Sequence, residues 1–463
     1  MSYNTAVIRT PQVSLNLGVA PTGAKADCNK VMPEDRAAHD WYRFVLSFPP
    51  HLVRRYLERF GMASRHVVLD PFCGTGTTVV ECKKLGIPSV GLEAHPMGWF
   101  ASSVKTDWSP DPQGMTDHAR RVAGASDRAL EDVGWGIGGD RNSLFEALSA
   151  ELKTLPPEAE ELLLSGSISP LPLHKTLVLL EQLNRESDPR FHAHELLALG
   201  KALVNRIANL HFGPEVGVGP PKQDAPVVSA WLDGVMAMAE DLRVLRARED
   251  VPVRVLREDA RRILDVLEPL SVDAVITSPP YPNEKDYTRT TRLESVVLGF
   301  IRTKAELKGV KQSLMRSNTR NVYKDDDDDL WVAKNARVAK LAEAIESRRL
   351  ALGKTSGFER QYARVTRLYF GGMARHLAHL RTVLRPGAML AYVVGDQASY
   401  LRVMIRTGQI LAEIAESLGY RIEGIDLFRT RLATATKQQL REEVIVLRWP
   451  GTTRAIGKGR TRG

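Results

Sequence analysis

Two short stretches of this 463-residue chain carry residue types in a spacing that serves chemistry. The first is Asp70-Pro71-Phe72-Cys73-Gly74-Thr75-Gly76-Thr77, which follows the apolar run Val67-Val68-Leu69. Glycines at 74 and 76 let the backbone approach a ligand where a Cβ would clash. Glu93 ends the next apolar run, Ser89-Val90-Gly91-Leu92, and suits a carboxylate that accepts both hydroxyls of a ribose. The second stretch is Thr277-Ser278-Pro279-Pro280-Tyr281, after the apolar run Asp273-Ala274-Val275-Ile276. Its two prolines fix φ and remove two backbone donors, so the turn is stiff and presents carbonyls, a hydroxyl and an aromatic face. Such a turn receives a planar base with an exocyclic amine: Tyr281 stacks on it, while the Pro279 carbonyl and the Ser278 hydroxyl take the amine protons. Acceptors placed there favour a more tetrahedral nitrogen, whose lone pair can attack a methyl group in line.

The general glycine pattern also serves dinucleotides, but Val79 stands where their third glycine belongs. A carboxylate at the strand end, Asp70, repels a pyrophosphate and suits a ligand bearing a cation or an amine. S-adenosylmethionine (SAM) has both a sulfonium and an amino group. The plain alternative is a tight turn with Asp70 as helix N-cap and Cys73 as a small packing residue.

The elements that must hold these turns are readable. Val67–Leu69 predicts a strand, Thr77–Leu85 a helix capped by Gly86, and Ser89–Leu92 a second strand. Strand, glycine turn, helix, strand and acid make a βαβ unit, hence a parallel sheet. An amphipathic stretch from His39 to Arg59 is broken at Phe48-Pro49-Pro50. From Pro110 to Asp250 helical periodicity dominates, as in Glu195–Asn209 and Val228–Leu245, with a Gly/Pro-rich break between those two. Strands resume at Val253–Leu256 and Asp273–Ile276. A helix over Arg367–Leu384, the turn Arg385-Pro386-Gly387, strand Met389–Val394, helix Gln409–Leu418 and a final strand pair near Ile425 and Val444–Leu447 close the chain.

With both turns in hand, the chain resembles the DNA amino-methyltransferases, which use SAM to methylate the exocyclic amine of cytosine or adenine. Asp70 to Thr77 resembles their motif D-P-F-x-G-x-G-T. Glu93 matches the ribose acid, Asp259 is similar to the acid that contacts the adenine amine, and Phe48-Pro49 resembles the motif closing over the methionine end. Ser278-Pro279-Pro280-Tyr281 matches the catalytic tetrapeptide. A leading serine is typical of enzymes that make N4-methylcytosine, a leading Asp or Asn of those that make N6-methyladenine. Methylation at cytosine C5 needs a cysteine after a proline, and no Pro-Cys occurs here. The resemblance implies an α/β fold, a Rossmann-like SAM-dependent methyltransferase sheet with a large helical insertion. It divides the chain into an N-terminal arm (1–38), a SAM-binding first half (39–109), the helical insertion (110–250), a catalytic half (251–300), a basic and acidic insertion (301–365), the end of the methyltransferase domain (366–450) and a basic tail (451–463). It covers 40–108 and 252–300 well and 366–448 loosely. About 160 residues separate Glu93 from the third-strand candidate, a departure from the usual plan of the family.

Duplex DNA is the partner this implies, with a companion restriction endonuclease as an associate. Two regions compete to read the target: the helical insertion and the stretch 301–365. Arg316, Asn318 and Arg320 in the latter carry groups that contact phosphates and base edges. Arg289 and Arg292 are placed to hold phosphates around a flipped nucleotide, and Tyr287 to support its base. Asp325 to Asp329, five aspartates in a row, read as a solvated turn. Arg454, Lys458, Arg460 and Arg462 make a basic end. Adenine N6, RNA or a protein amine are the alternative acceptors, and a SAM-sensing or DNA-binding protein without catalysis is the alternative class.

Composition agrees without deciding. The net charge of +9 permits a polyanionic partner, and 43% hydrophobic with 26% charged residues is a globular balance. Three cysteines, Cys28, Cys73 and Cys82, support neither a disulfide framework nor a four-cysteine zinc site, and no metal is expected. No apolar run of about 18 residues occurs, and Met1–Thr10 has no secretory pattern, so a cytoplasmic protein with reduced thiols is expected.

Overall fold

The computed structural model describes residues 31–43, 47–131, 152–212, 215–283, 285–432 and 439–451. The expected basic residues Arg454 to Arg462, most of the N-terminal arm and Cys28 lie outside them.

The strands in chain order are β1 (Val68–Asp70), β2 (Ser89–Leu92), β3 (Leu210–Phe212), β4 (Val216–Val218), β5 (Val253–Leu256), β6 (Val272–Thr277), β7 (Leu384–Gly395), β8 (Arg421–Leu432) and β9 (Gln439–Arg448). Seven of them form one sheet in the order β5-β2-β1-β6-β7-β9-β8. Pairings among β5, β2, β1, β6 and β7 are parallel, and β9 runs antiparallel to both of its neighbours. After β1 the chain moves to one side, through β2 and β5; it then returns to β6 on the other side of β1. The carboxyl ends of β1 and β6 therefore flank the point where strand order reverses, the place where open α/β sheets leave a crevice. Both chemically suggestive turns start there.

Every residue of β1 and β2 is buried, as expected for parallel strands covered on both faces. Alternation sorts their side chains into two layers. Val68, Ala274 and Ile276 face the layer of Leu52, Val53 and Tyr56 from the helix Pro50–Arg59. Leu69 and Val275 face Tyr369, Phe370 and Met373 from the helix Gly357–Val383. A third apolar core belongs to the insertion, where helices Pro112–Glu131, Pro170–Arg185, His192–Ala202 and Val227–Leu245 enclose a fully buried Trp231. The Gly/Pro-rich break holds the small hairpin β3–β4. The expected helix Glu195–Asn209 ends at Ala202 and passes into a wider π-helical turn, Leu203–Ile207.

Two readings change in the second half. Arg385-Pro386-Gly387 does not separate helix from strand; it is a bulge inside β7, where register jumps between Val272/Leu384 and Ala274/Met389. Gly387 takes φ +88° there, and its N–H donates to the Trp449 carbonyl. The aspartate run is only partly a solvated turn: Asp325 and Asp327 are exposed, and Asp328 is not. Asp328 is 3% exposed and receives Arg261 at 2.5 Å and Arg375 at 3.3 Å. It lies against the paired glycines of the long helix: a Cβ on Gly371 would fall 1.9 Å from the Asp328 carbonyl oxygen. Burial of a charge requires partners, and the arginines of the same half supply them.

Candidate active site

Asp70 joins the two turns. It is fully buried at the end of β1, and its Oδ1 accepts from the Thr277 hydroxyl at 2.6 Å and the Phe72 N–H at 3.1 Å. Thr277 directly precedes Ser278, so one carboxylate fixes the start of both segments. The N-cap of helix Thr77–Lys84 is Gly76, not Asp70. Gly76 holds φ +88°, and a Cβ there would meet Ser102 Cβ at 3.0 Å. Gly74 holds φ +54°, and a Cβ there would meet nothing within 4 Å. Open space over that glycine is part of a cavity of about 680 Å³ at the carboxyl ends of the strands.

That cavity brings together most of the expected residues. Phe48, Pro71, Phe72, Gly74, Thr77, Glu93, Asp259, Ser278, Pro279, Pro280, Tyr281 and Tyr287 line it. Pro49 caps the adjoining helix Pro50–Arg59. Glu93 braces the glycine turn: its Oε2 accepts from the Gly74 N–H at 2.7 Å and its Oε1 from the His95 N–H at 2.8 Å. Asp259 caps its own turn and is gripped by Arg261, Nη2 to Oδ2 at 2.6 Å. Arg261 then reaches Asp328, so the aspartate run braces this wall from behind. Ser278 Oγ donates to the Val393 carbonyl at 3.1 Å, which leaves its lone pairs as acceptors. Tyr281 lies on the end of β7, where a Cβ on Gly395 would come within 3.0 Å of its ring.

The DNA-contact expectations divide. Arg289, Arg292, Arg316, Asn318 and Arg320 do not line the cavity. Arg292 donates to the carbonyls of Thr288 and Leu162. Arg316 is 4% exposed and is held by Asp326 and the carbonyls of Lys311, Gln312 and Leu314. Asn318 is buried; it caps a short turn and donates to the Lys285 carbonyl at 3.1 Å. In this arrangement both support the loop after the proline turn instead of offering groups to a phosphate. Arg320 is exposed, over the ring of Phe358. Arg316→Met is expected to cost about 3–5 kcal/mol of stability, because Asp326 is left without its partner. Chemical denaturation would read this as a lower midpoint at unchanged slope, and a stability within 1 kcal/mol of wild type would contradict it.

Several functional positions carried no sequence signal strong enough to select them. Lys105 is buried and donates to the Thr75 carbonyl at 2.7 Å and the Tyr42 carbonyl at 3.2 Å, so it holds the glycine turn from behind. Burial brings its pKa down to about 7. Lys285, Arg429 and Arg431 line the cavity, and Glu442 accepts from Nε and Nη2 of Arg429, at 2.6 and 2.9 Å. A lysine inside the largely apolar helix Pro96–Thr106 was the one available hint.

The donor set fits SAM. The cavity lies in the range of small-molecule sites, about 300–1,000 Å³. Asp70 Oδ2 is buried without a partner among the described residues. Burial raises Asp70 to about 6 and Glu93 to about 7. Glu93 lines the cavity, and a cation bound beside it favours its charged form and so lowers its pKa. The sign follows: protonated Glu93 gives up acceptor capacity, so SAM affinity is expected to rise with pH up to about 7 and then level off. Calorimetric titration with SAM between pH 5.5 and 8.5 checks this, and an affinity that falls across that interval would contradict it.

The reversal of strand order, the antiparallel β9, the glycine turn and the proline turn define a Rossmann-like, SAM-dependent methyltransferase. The chain is similar in sequence to DNA methyltransferases. A family model described as DNA methylase matches residues 26–97. The Type II methyltransferase M.BsoBI of Geobacillus stearothermophilus is 25% identical in a match of 443 aligned positions that covers 90% of this chain and 85% of that protein. The Type II methyltransferase M.AvaI of Nostoc sp. is 24% identical in a match that covers 91% of this chain and 88% of that protein. A shorter match, 35% over 68 residues and 14% of this chain, links it to the Type II methyltransferase M.MjaII of Methanocaldococcus jannaschii, of which it covers 12%. Among the described residues no helix is long and apolar enough to cross a membrane, and no group of three or more His, Cys, Asp or Glu side chains has the spacing of a metal site.

Proposed function

We propose that this protein is a site-specific DNA methyltransferase that methylates the N4 amine of cytosine in duplex DNA, with the base turned out of the helix. The observation that carries this reading is Ser278 at the head of the proline turn, with its proton given to Val393 so that its oxygen acts as an acceptor.

The residues then divide the work. Tyr281 stacks on the extruded base, which offsets part of the few kcal/mol that flipping costs. Ser278 Oγ and the Pro279 carbonyl accept the amine protons and hold the nitrogen in a more tetrahedral form. Glu93, on the opposite side of the cavity, and Asp70 behind it keep the glycine turn in register. Bound SAM supplies a methyl group on a sulfonium, open to in-line attack. Lys285 and Arg431, at the same cavity, add positive charge for the flanking phosphates, a contribution that salt weakens. A companion restriction endonuclease and a cytoplasmic setting belong to the same reading.

Substrate class is the first test. The purified chain is incubated with SAM carrying a labelled methyl group and, separately, unmodified genomic DNA, bulk RNA and a protein extract. Label in the DNA alone is expected. Label in RNA or protein but not in DNA would overturn the proposal.

A further inference from the structure

We propose that Gln397 reads the edge of the flipped base, donating from its side-chain amide to the ring nitrogen beside the amine-bearing carbon. The inference rests on the reading of the cavity as a base site.

Gln397 lines the cavity and is 4% exposed, yet its Nε2 has no hydrogen-bond partner among the described residues. Buried amide donors are almost always paired, because an unpaired one forfeits its hydration without return. An unpaired donor on a residue that lines a ligand cavity is therefore explained by an acceptor that the ligand brings. Position supports this. A Cβ built on Gly395 would lie 3.0 Å from the Tyr281 ring and 3.5 Å from Gln397 Nε2, so the amide and the stacking ring share one corner.

The residue is also rigidly placed. Its backbone exchanges two hydrogen bonds with Ile405, at 3.0 and 2.7 Å. The preceding Asp396 is buried and tied to Arg406 at 2.5 Å and Arg441 at 3.1 Å. A fixed donor is what selective recognition requires, since a mobile one would turn toward water.

The chemistry of the bases shows what this donor selects. Cytosine and adenine both carry a ring nitrogen with a lone pair next to the carbon that bears the amine. Thymine and guanine carry an N–H at the corresponding place, beside a carbonyl. An amide N–H meets an acceptor in the first pair and another donor in the second. Ser278 and Pro279 test for the amine; Gln397 tests for its neighbour. A site built to hydrogen-bond a group rejects a base lacking it more strongly than an apolar pocket does.

The experiment is a two-by-two comparison. The methylated position is first mapped in labelled genomic DNA. A duplex is then made with the target cytosine replaced by 3-deazacytosine (or a target adenine by 1-deazaadenine), which exchanges the ring nitrogen for C–H. Wild type is expected to lose roughly 5- to 150-fold in kcat/KM on the analogue. Gln397→Leu is expected to lose a similar factor on the normal duplex and nothing further on the analogue, with SAM affinity unchanged. The isosteric Gln397→Glu is expected to show the same loss on the normal duplex at neutral pH. Losses that multiply in Gln397→Leu with the analogue would overturn the assignment, as would reduced SAM affinity in both variants. Absence of label from every DNA base with wild type is a different result, and it removes the proposed function together with this inference.

Discussion

Ser278→Ala is expected to lower kcat by about 10²–10³, the usual cost of removing one preorganised hydrogen-bonding group from a transition state. The hydroxyl donates to Val393 at 3.1 Å, so its orientation is set before substrate arrives. Alanine keeps the turn, since both prolines and the Thr277–Asp70 hydrogen bond remain. It removes the acceptor for an amine proton together with the hydrogen bond to Val393. SAM affinity should therefore stay within about twofold, and stability within about 1 kcal/mol for one lost hydrogen bond. Single-turnover kinetics separate this from a binding defect. A variant that transfers methyl groups at the wild-type rate would remove the serine from the chemistry.

Gly76→Val is expected to abolish measurable SAM binding while the sheet persists. Two costs combine at this position. A β-branched residue at φ +88° is strained by about 1–3 kcal/mol. The new Cβ also falls 3.0 Å from Ser102 Cβ and 3.2 Å from Ser102 Cα, and backbone cannot yield as a flexible side chain can. The strain is relieved most easily by moving the turn, which displaces Gly74 from Glu93. A titration showing SAM affinity within threefold of wild type would contradict the role given to this turn.

Much of the sheet was legible because its strands are short, apolar and bounded by distinctive turns. β1, β2, β5 and β6 fall within a residue or two of Val67–Leu69, Ser89–Leu92, Val253–Leu256 and Asp273–Ile276. The residues around the two turns were legible for a related reason: glycines at positive φ and paired prolines leave few alternatives. Charge was read less well. Asp328, Arg316 and Asn318 are polar in sequence, and polarity alone argues for solvent. Each is buried because its partner lies far along the chain or in a turn that sequence does not reveal, as Asp328 does with Arg261. Gln397 and Lys105 were missed for the opposite reason. Their types are common, and only the fold shows that one faces a cavity unpaired and the other sits beneath the glycine turn. The helix Gly357–Val383 begins ten residues before the expected Arg367; the stripe Phe358, Tyr362, Val365 and Tyr369 extends it, although its first turn is mostly exposed.

The central claim is the identity of the methylated atom, and nucleoside analysis tests it most directly. Genomic DNA from an unmodified host is treated with the protein and labelled SAM, digested to nucleosides and resolved by mass spectrometry. The account predicts label in N4-methylcytosine and in no other nucleoside. Label in N6-methyladenine would contradict it: the cavity and its SAM side would stand, but Ser278 would not select the base.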